Sequence, residues 1–280
     1  MLMNLWKYLV HAAHTLWVCI GKEIIQPECV PLLNLKTLER RSGGGRQTIY
    51  QTHETALQDW SVYQATAQTV NMNEDYDYQF FTAAERLQFL VDHFGAESEH
   101  VRAYQTVTNG AIRADIFRLC ILYVRGGVYL DCKSATVHPL RAFLPHDTGF
   151  AMFIESEGTR LGNGFIASAP RNRLLGSIMN EAIRRTLAKD YGESPLDVTG
   201  PELFGSVVRR FLRIDQLCPG RYDVDGVKVD LLGIMNFFNY FMYTRPDFPV
   251  IKRQPDTYFF SIKRMLTRYE WSWVAGTYFQ

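Results

Sequence analysis

Five residues in one short region have the types and the spacing to hold a hydroxyl-rich, anionic ligand. In GGVYLDCK, residues 126–133, two glycines precede a β-branched and aromatic run that ends on Asp131, with Lys133 two positions on. A strand alternates its faces, so Tyr129, Asp131 and Lys133 project to one side while Val128, Leu130 and Cys132 project to the other. Upstream, Asp115 and Arg118 stand three apart in a helical pattern and therefore share a helical face. An isolated pair of that kind is usually a surface ion pair worth about 0.2–0.5 kcal/mol. The order helix, Gly-Gly, strand, Asp changes that expectation, because it carries Asp115, Arg118 and Asp131 to one end of a sheet. Carboxylates accept hydrogen bonds there, and the guanidinium adds a fixed fork of donors.

The elements that must position these residues follow from periodicity. ERRSGGGRQ (39–47) combines like charges with three glycines and reads as a linker. QTIYQT reads as a strand, HETALQDWSVYQATAQ as a helix and YDYQFF as a second strand. TAAERLQFLVDHF is a helix in which Thr82 and Glu85 have capping-box spacing. NGAIRADIFRLCILYVRGG is a helix with Ile112, Ile116, Leu119 and Tyr123 along one stripe and Gly126 as its terminator. FAMFIE and GFIASA read as strands, and RNRLLGSIMNEAIRRTLAKD as a helix. TGPELFGSVVRRFL is a helix opened by Thr199 with Glu202 three residues on, and VDGVKVDLL is a hairpin turning at Asp225-Gly226. Strands separated by helices imply an α/β sheet, where ligands collect beyond the carboxyl ends of strands. Asp131 sits at such an end.

Composition narrows the choice of partner. The 280 residues carry a net charge of +1, with 47% apolar residues, so no basic field argues for nucleic acid or an anionic membrane as the main partner. The cysteines at 19, 29, 120, 132 and 218 are odd in number and lack CxxC spacing, which suggests reduced thiols and no zinc site. Residues 1–20 place Leu2, Leu5, Leu9, Ala13, Leu16 and Ile20 on one helical face, with Asn4, Lys7, His11 and His14 opposite. An amphipathic helix over 1–25 is expected. Packing on the main domain is favoured over a membrane-surface anchor, and both over a transmembrane span.

ADIFRLCILYVRGGVYLD resembles the core of the glycosyltransferases with a DXD sugar-binding motif. That family contains yeast-type initiating α-1,6-mannosyltransferases, bacterial capsule glycosyltransferases (glycosyltransferase family 32) and, more distantly, glucosylating clostridial toxins. TIYQTHET resembles the family's opening strand, NEDYDYQFF its next segment, NGFIASAP a later strand and loop, and TGPELF its T-G-P motif. The resemblance implies a GT-A, Rossmann-like mixed sheet flanked by helices, arranged as an N-terminal helix (1–25), a linker (26–46) and a glycosyltransferase domain (47–280). It implies transfer of a hexose from a nucleotide-diphosphate sugar to a glycan, lipid-linked or protein hydroxyl, with retention. The alternative is a non-catalytic module that binds sugar nucleotides or glycans.

By the same resemblance, Tyr50 and Gln51 would border the nucleotide, Asp115 and Arg118 the donor-sugar hydroxyls, with Tyr129 and Asn163 beside them. Ser272 and Trp273, with Glu270, would belong to a terminal segment closing over the diphosphate. Asp131 and Lys133 would form the catalytic pair, and Asp131 would also ligate a divalent cation, manganese or magnesium. Lys133 stands where the family has the second Asp, which puts that metal in question. An ammonium ~4 Å from a phosphate, at an effective dielectric of ~20, is worth about 4 kcal/mol and could stand in for part of a metal. The expected location is cytoplasmic; peripheral membrane contact through residues 1–20 is the less favoured variant of it, and the Golgi lumen is the alternative.

Overall fold

The computed structural model describes residues 32–42, 45–58, 60–132, 134–136, 138–155, 158–190, 192, 197–233 and 251–253. The N-terminal amphipathic helix, Lys133, Glu270, Ser272 and Trp273 lie outside these residues. In chain order the elements are β1 (Leu33–Asn34), β2 (Thr48–Thr52), β3 (Leu57–Gln58), α1 (Trp60–Met72), β4 (Asp77–Phe81), α2 (Ala83–Phe94), α3 (Glu99–Thr106), α4 (Gly110–Arg125), β5 (Gly127–Leu130) and β6 (Ser134–Thr136). They continue as β7 (Phe150–Ile154), β8 (Leu161–Ser168), α5 (Arg173–Leu187), α6 (Pro201–Leu212), β9 (Gly220–Val224), β10 (Val227–Leu232) and β11 (Ile251–Arg253).

The expected mixed α/β sheet is present. Its order among the described strands is β4-β2-β5-β8-β7-β10-β9. β2 runs parallel to β4 and β5, whereas β8 is antiparallel to both β5 and β7. From β2 the chain passes through α1 to β4 on one side, then returns through α2, α3 and α4 to β5 on the other side of β2. The order therefore reverses at β2, and in α/β sheets it is beyond the carboxyl ends of the strands at such a reversal, here β2 and β5, that ligands bind.

Period-two alternation sorts the strand residues into two cores. Tyr50, Tyr129, Met152 and Ile166 pack with buried residues of α2, α3, α4, α5 and α6 on one face. Ile49, Tyr78, Val128, Leu130 and Phe165 pack on the other face with Leu35, with Val62 and Val70 of α1, and with Leu140 and Leu144. Burial on both faces is why these strands read as near-continuous apolar runs. No helix among the described residues is long and apolar enough to cross a membrane.

Both glycines of the opening motif have a steric cause. Gly126 has φ +67°, and a Cβ there would stand 2.6 Å from Pro170 Cδ; Gly127 has φ +100°, and a Cβ there would stand 2.5 Å from the Thr48 carbonyl oxygen. The reversal from α4 into β5 needs positive φ and a close backbone approach at consecutive positions, which glycine alone supplies without strain. The capping box at Thr82 and Glu85 forms as expected, and Asp225-Gly226 makes the hairpin turn with positive φ at both residues. Part of the segment read as a linker packs along β4, where Arg40 exchanges backbone hydrogen bonds with Tyr78.

Three expectations change. The first helix begins at Trp60 and not at His53, because Leu57–Gln58 pairs with Leu33–Asn34 and Gln58 reaches back to His53 Nδ1 at 2.7 Å. The short helix α3, N-capped by Ser98, was not read from EHVRAYQT; its three buried positions are too few to display a period. Thr199 does not cap α6. The cap residue is Gly200, with Pro201 in the first turn, the place where a missing N–H costs nothing.

Candidate functional site

Asp115 and Arg118 share a face of α4 as their spacing requires, but that face is not solvated. Both side chains are under 10% exposed and pair at 3.0 Å. Helix α4 lies back on β5 after the two-glycine turn, so its amino-terminal half stands over the carboxyl end of that strand. Asp131 follows Leu130 there, and its backbone N–H donates to the Gly164 carbonyl at 2.9 Å, extending the pairing with β8. Alternation puts Asp131 and Tyr129 on one face, and the Tyr129 hydroxyl donates to Asp131 Oδ1 at 3.1 Å.

Arg118 joins these groups. Its Nη2 lies 3.0 Å from Asp115 Oδ1 and 3.3 Å from Asp131 Oδ1, and its Nη1 donates to the Asn163 carbonyl. The guanidinium carbon sits 4.4 Å from the centre of the Tyr129 ring. In a desolvated setting such a cation–π contact contributes about 2 kcal/mol. One guanidinium thus serves two carboxylates, and these three side chains carry a net charge of −1.

Asp115 is the best-anchored member. Its Oδ1 accepts from Asn163 Nδ2 at 3.1 Å and from Arg118, while its Oδ2 accepts from the Thr199 hydroxyl at 2.8 Å. Burial pushes its carboxyl up to about 6, against the lowering influence of Arg118, Thr199 and Asn163, and the nearby Asp131 charge adds to the rise. Asp131 is the open edge of the cluster, with its side chain 31% exposed.

The other expected residues divide. Gln51 is fully buried on the opposite sheet face, where it accepts from the Tyr78 hydroxyl at 3.0 Å and donates to the Asp131 carbonyl at 3.3 Å. It holds the backbone of Asp131. Tyr50 is not brought to the cluster: it is 3% exposed in the helical-face core, and its hydroxyl is directed toward Thr48 and Arg125 at the other end of the strands. Burial raises the Tyr50 and Tyr129 phenols.

Two features were not read from the sequence as part of a site. Thr199 has the spacing of a cap with Glu202, but Pro201 in the first turn puts Gly200 in that place. At the carboxyl end of β2, the buried Arg86 of α2 donates to Thr52 Oγ1 at 3.1 Å and to the Tyr104 hydroxyl at 2.9 Å, and it pairs with Glu54. Nothing in the spacing of Arg86 within an amphipathic helix marks it as buried.

The donor set suits hydroxyl groups better than a metal. Among the described residues, no three His, Cys, Asp or Glu side chains come together in a way that could hold a metal ion. Asp131 brings one carboxylate, and Asp115 has three of its four acceptor positions filled by Asn163, Arg118 and Thr199. Among the described residues, Asp115 and Asp131 by themselves offer too few open positions for the cation that the DXD resemblance implies. Among the described residues no disulfide forms: Cys120 and Cys132 are buried and Cys218 is exposed.

No curated protein matches the chain at a significant level. Among solved structures it is similar to a PaToxG glycosyltransferase, at 17% identity over 59% of this chain and 68% of that one, with a TM-score of 0.49. Residues 52–150, which contain Asp115, Arg118, Tyr129 and Asp131, match the glycosyltransferase sugar-binding region containing the DXD motif.

Proposed function

We propose that the protein is a glycosyltransferase that moves a hexose from a nucleotide-diphosphate sugar to a hydroxyl of a glycan or other acceptor, with retention. The observation that carries this reading is the Asp115–Arg118–Asp131 cluster at the strand-order reversal, inside the segment that matches a sugar-binding region. In the transfer, the bond from the anomeric carbon to the β-phosphate oxygen breaks, the acceptor oxygen bonds that carbon on the same face, and the hydroxyl proton passes to the departing diphosphate. Asp115 and Arg118 orient the sugar hydroxyls. Asp131, held by Arg118 and Tyr129, borders the reacting sugar.

Lys133 takes the role of charge partner to the departing diphosphate. Its sequence position supports this, since an ammonium replaces the second acid of the motif two residues after Asp131. A second reading, a non-catalytic module that binds sugar nucleotides, is favoured by that same substitution. A panel of nucleotide sugars screened by thermal shift, followed by donor hydrolysis without acceptor, tests both. Stabilisation by one donor, with slow hydrolysis lost in Asp131→Asn, is the expected result. Binding without any hydrolysis or transfer would select the module, and no binding across the panel would refute both readings.

A further inference from the structure

We infer that Thr199 is a positioning residue for the donor sugar, acting through Asp115; this deepens the transferase reading and rests on it. Thr199 is fully buried, yet its hydroxyl is not spent on the helix it precedes, because Gly200 is the cap and makes no side-chain capping bond. That hydroxyl donates to Asp115 Oδ2 at 2.8 Å, across 84 positions of sequence. A carboxylate offers about four acceptor positions. In Asp115, Asn163 and Arg118 fill both on Oδ1, and Thr199 fills one on Oδ2. One acceptor position on Oδ2 remains for a ligand hydroxyl, and Thr199 determines which one.

The two neutral donors to Asp115 belong to one packed unit. Asn163 is carried by β8 and Thr199 by the segment leading into α6. Helix α6 lies against the turn before β8 at Gly205, where a Cβ would overlap the Thr159 carbonyl, and the Arg160–Glu202 ion pair at 2.7 Å ties the two starts together. The carboxylate plane of Asp115 is therefore set by a β8–α6 clamp together with Arg118 of its own helix, and the Oδ2 side of it by Thr199 alone. Valine at 199 keeps the shape and removes the hydroxyl. The carboxylate then keeps its Oδ1 partners but has no donor on Oδ2, and its open acceptor position loses a defined direction.

The test compares Thr199→Val and Thr199→Ser with the wild type, using a nucleotide sugar that the wild type binds and the corresponding nucleoside diphosphate alone. The valine variant is expected to lose about tenfold in affinity for the nucleotide sugar, as for one buried hydrogen bond to a charged group. Its affinity for the nucleoside diphosphate should stay at the wild-type value, and serine should restore sugar binding. In protein labelled with 13C-carboxyl aspartate, with Asp115→Asn identifying the signal, the Asp115 resonance should move in the valine variant and return in the serine variant. Equal loss for both ligands without rescue by serine, or an unmoved Asp115 resonance, would overturn the inference. A wild type that binds no nucleotide sugar refutes the transferase reading and this role with it, while the labelled carboxyl still reports separately whether the hydrogen bond exists.

Discussion

Replacing Asp115 with asparagine should make the protein more stable at neutral pH while it weakens donor binding. In the folded chain this carboxyl is raised from 3.8 to about 6, chiefly by burial. Between those values the folded protein retains a proton that the unfolded chain has released, so stability falls as pH rises through the window and levels off above it. The full difference corresponds to roughly 3 kcal/mol at pH 7.5. Asparagine removes the charge and can keep its oxygen toward Asn163 and Arg118, but its amide must then face Thr199, whose hydroxyl loses its acceptor at a cost of about 1 kcal/mol. The net gain is about 2 kcal/mol, or about 4–8 °C in melting temperature for a domain of roughly this size. Melting curves of both proteins from pH 4 to 8 would show the difference shrinking below pH 6 and vanishing or reversing near pH 4. In parallel, loss of an ionised acceptor should weaken nucleotide-sugar binding by about 1.5–3 kcal/mol. A variant less stable than wild type, by more at pH 7.5 than at pH 4, would refute the argument, because the ion pair with Arg118 would then outweigh the desolvation of Asp115.

The remaining predictions concern the ends of β5. Lys133→Ala should lower turnover more than donor affinity, and Lys133→Asp should create manganese dependence; wild-type activity abolished by chelation, with Lys133→Ala unaffected, would exclude the lysine as charge partner. Gly127→Ala should destabilise the fold by about 2 kcal/mol or more, read from denaturant midpoints, since it combines an unfavourable φ with overlap on the Thr48 carbonyl. An unchanged midpoint would mean that β2 and β5 can separate there without loss.

Local signals were sufficient for the elements and for one end of the site. The capping box at Thr82, the glycine terminator at Gly126 and the turn at Asp225-Gly226 are encoded within a few residues, and all three form. Alternation in GVYLD placed Tyr129 and Asp131 on one face, and helical spacing placed Asp115 beside Arg118; both follow from backbone periods that neighbouring residues cannot alter. Burial is different, because it depends on what packs on top. Helical spacing alone would leave the Asp115–Arg118 pair a surface bridge along α4; its enclosure comes with partners from β8 and from the segment before α6. Tyr50 stands next to Gln51 in the sequence, yet the sheet sends its hydroxyl to the far end of the strands and gives Gln51 the Asp131 carbonyl. Thr199 reaches Asp115 across 84 positions, a distance at which no periodicity carries information. Backbone periods alone bring Tyr129 together with Asp131, and Asp115 together with Arg118, because each pair is set within a few residues. The tertiary structure decided how deeply they are buried, and so which acceptor position of Asp115 is left for a ligand.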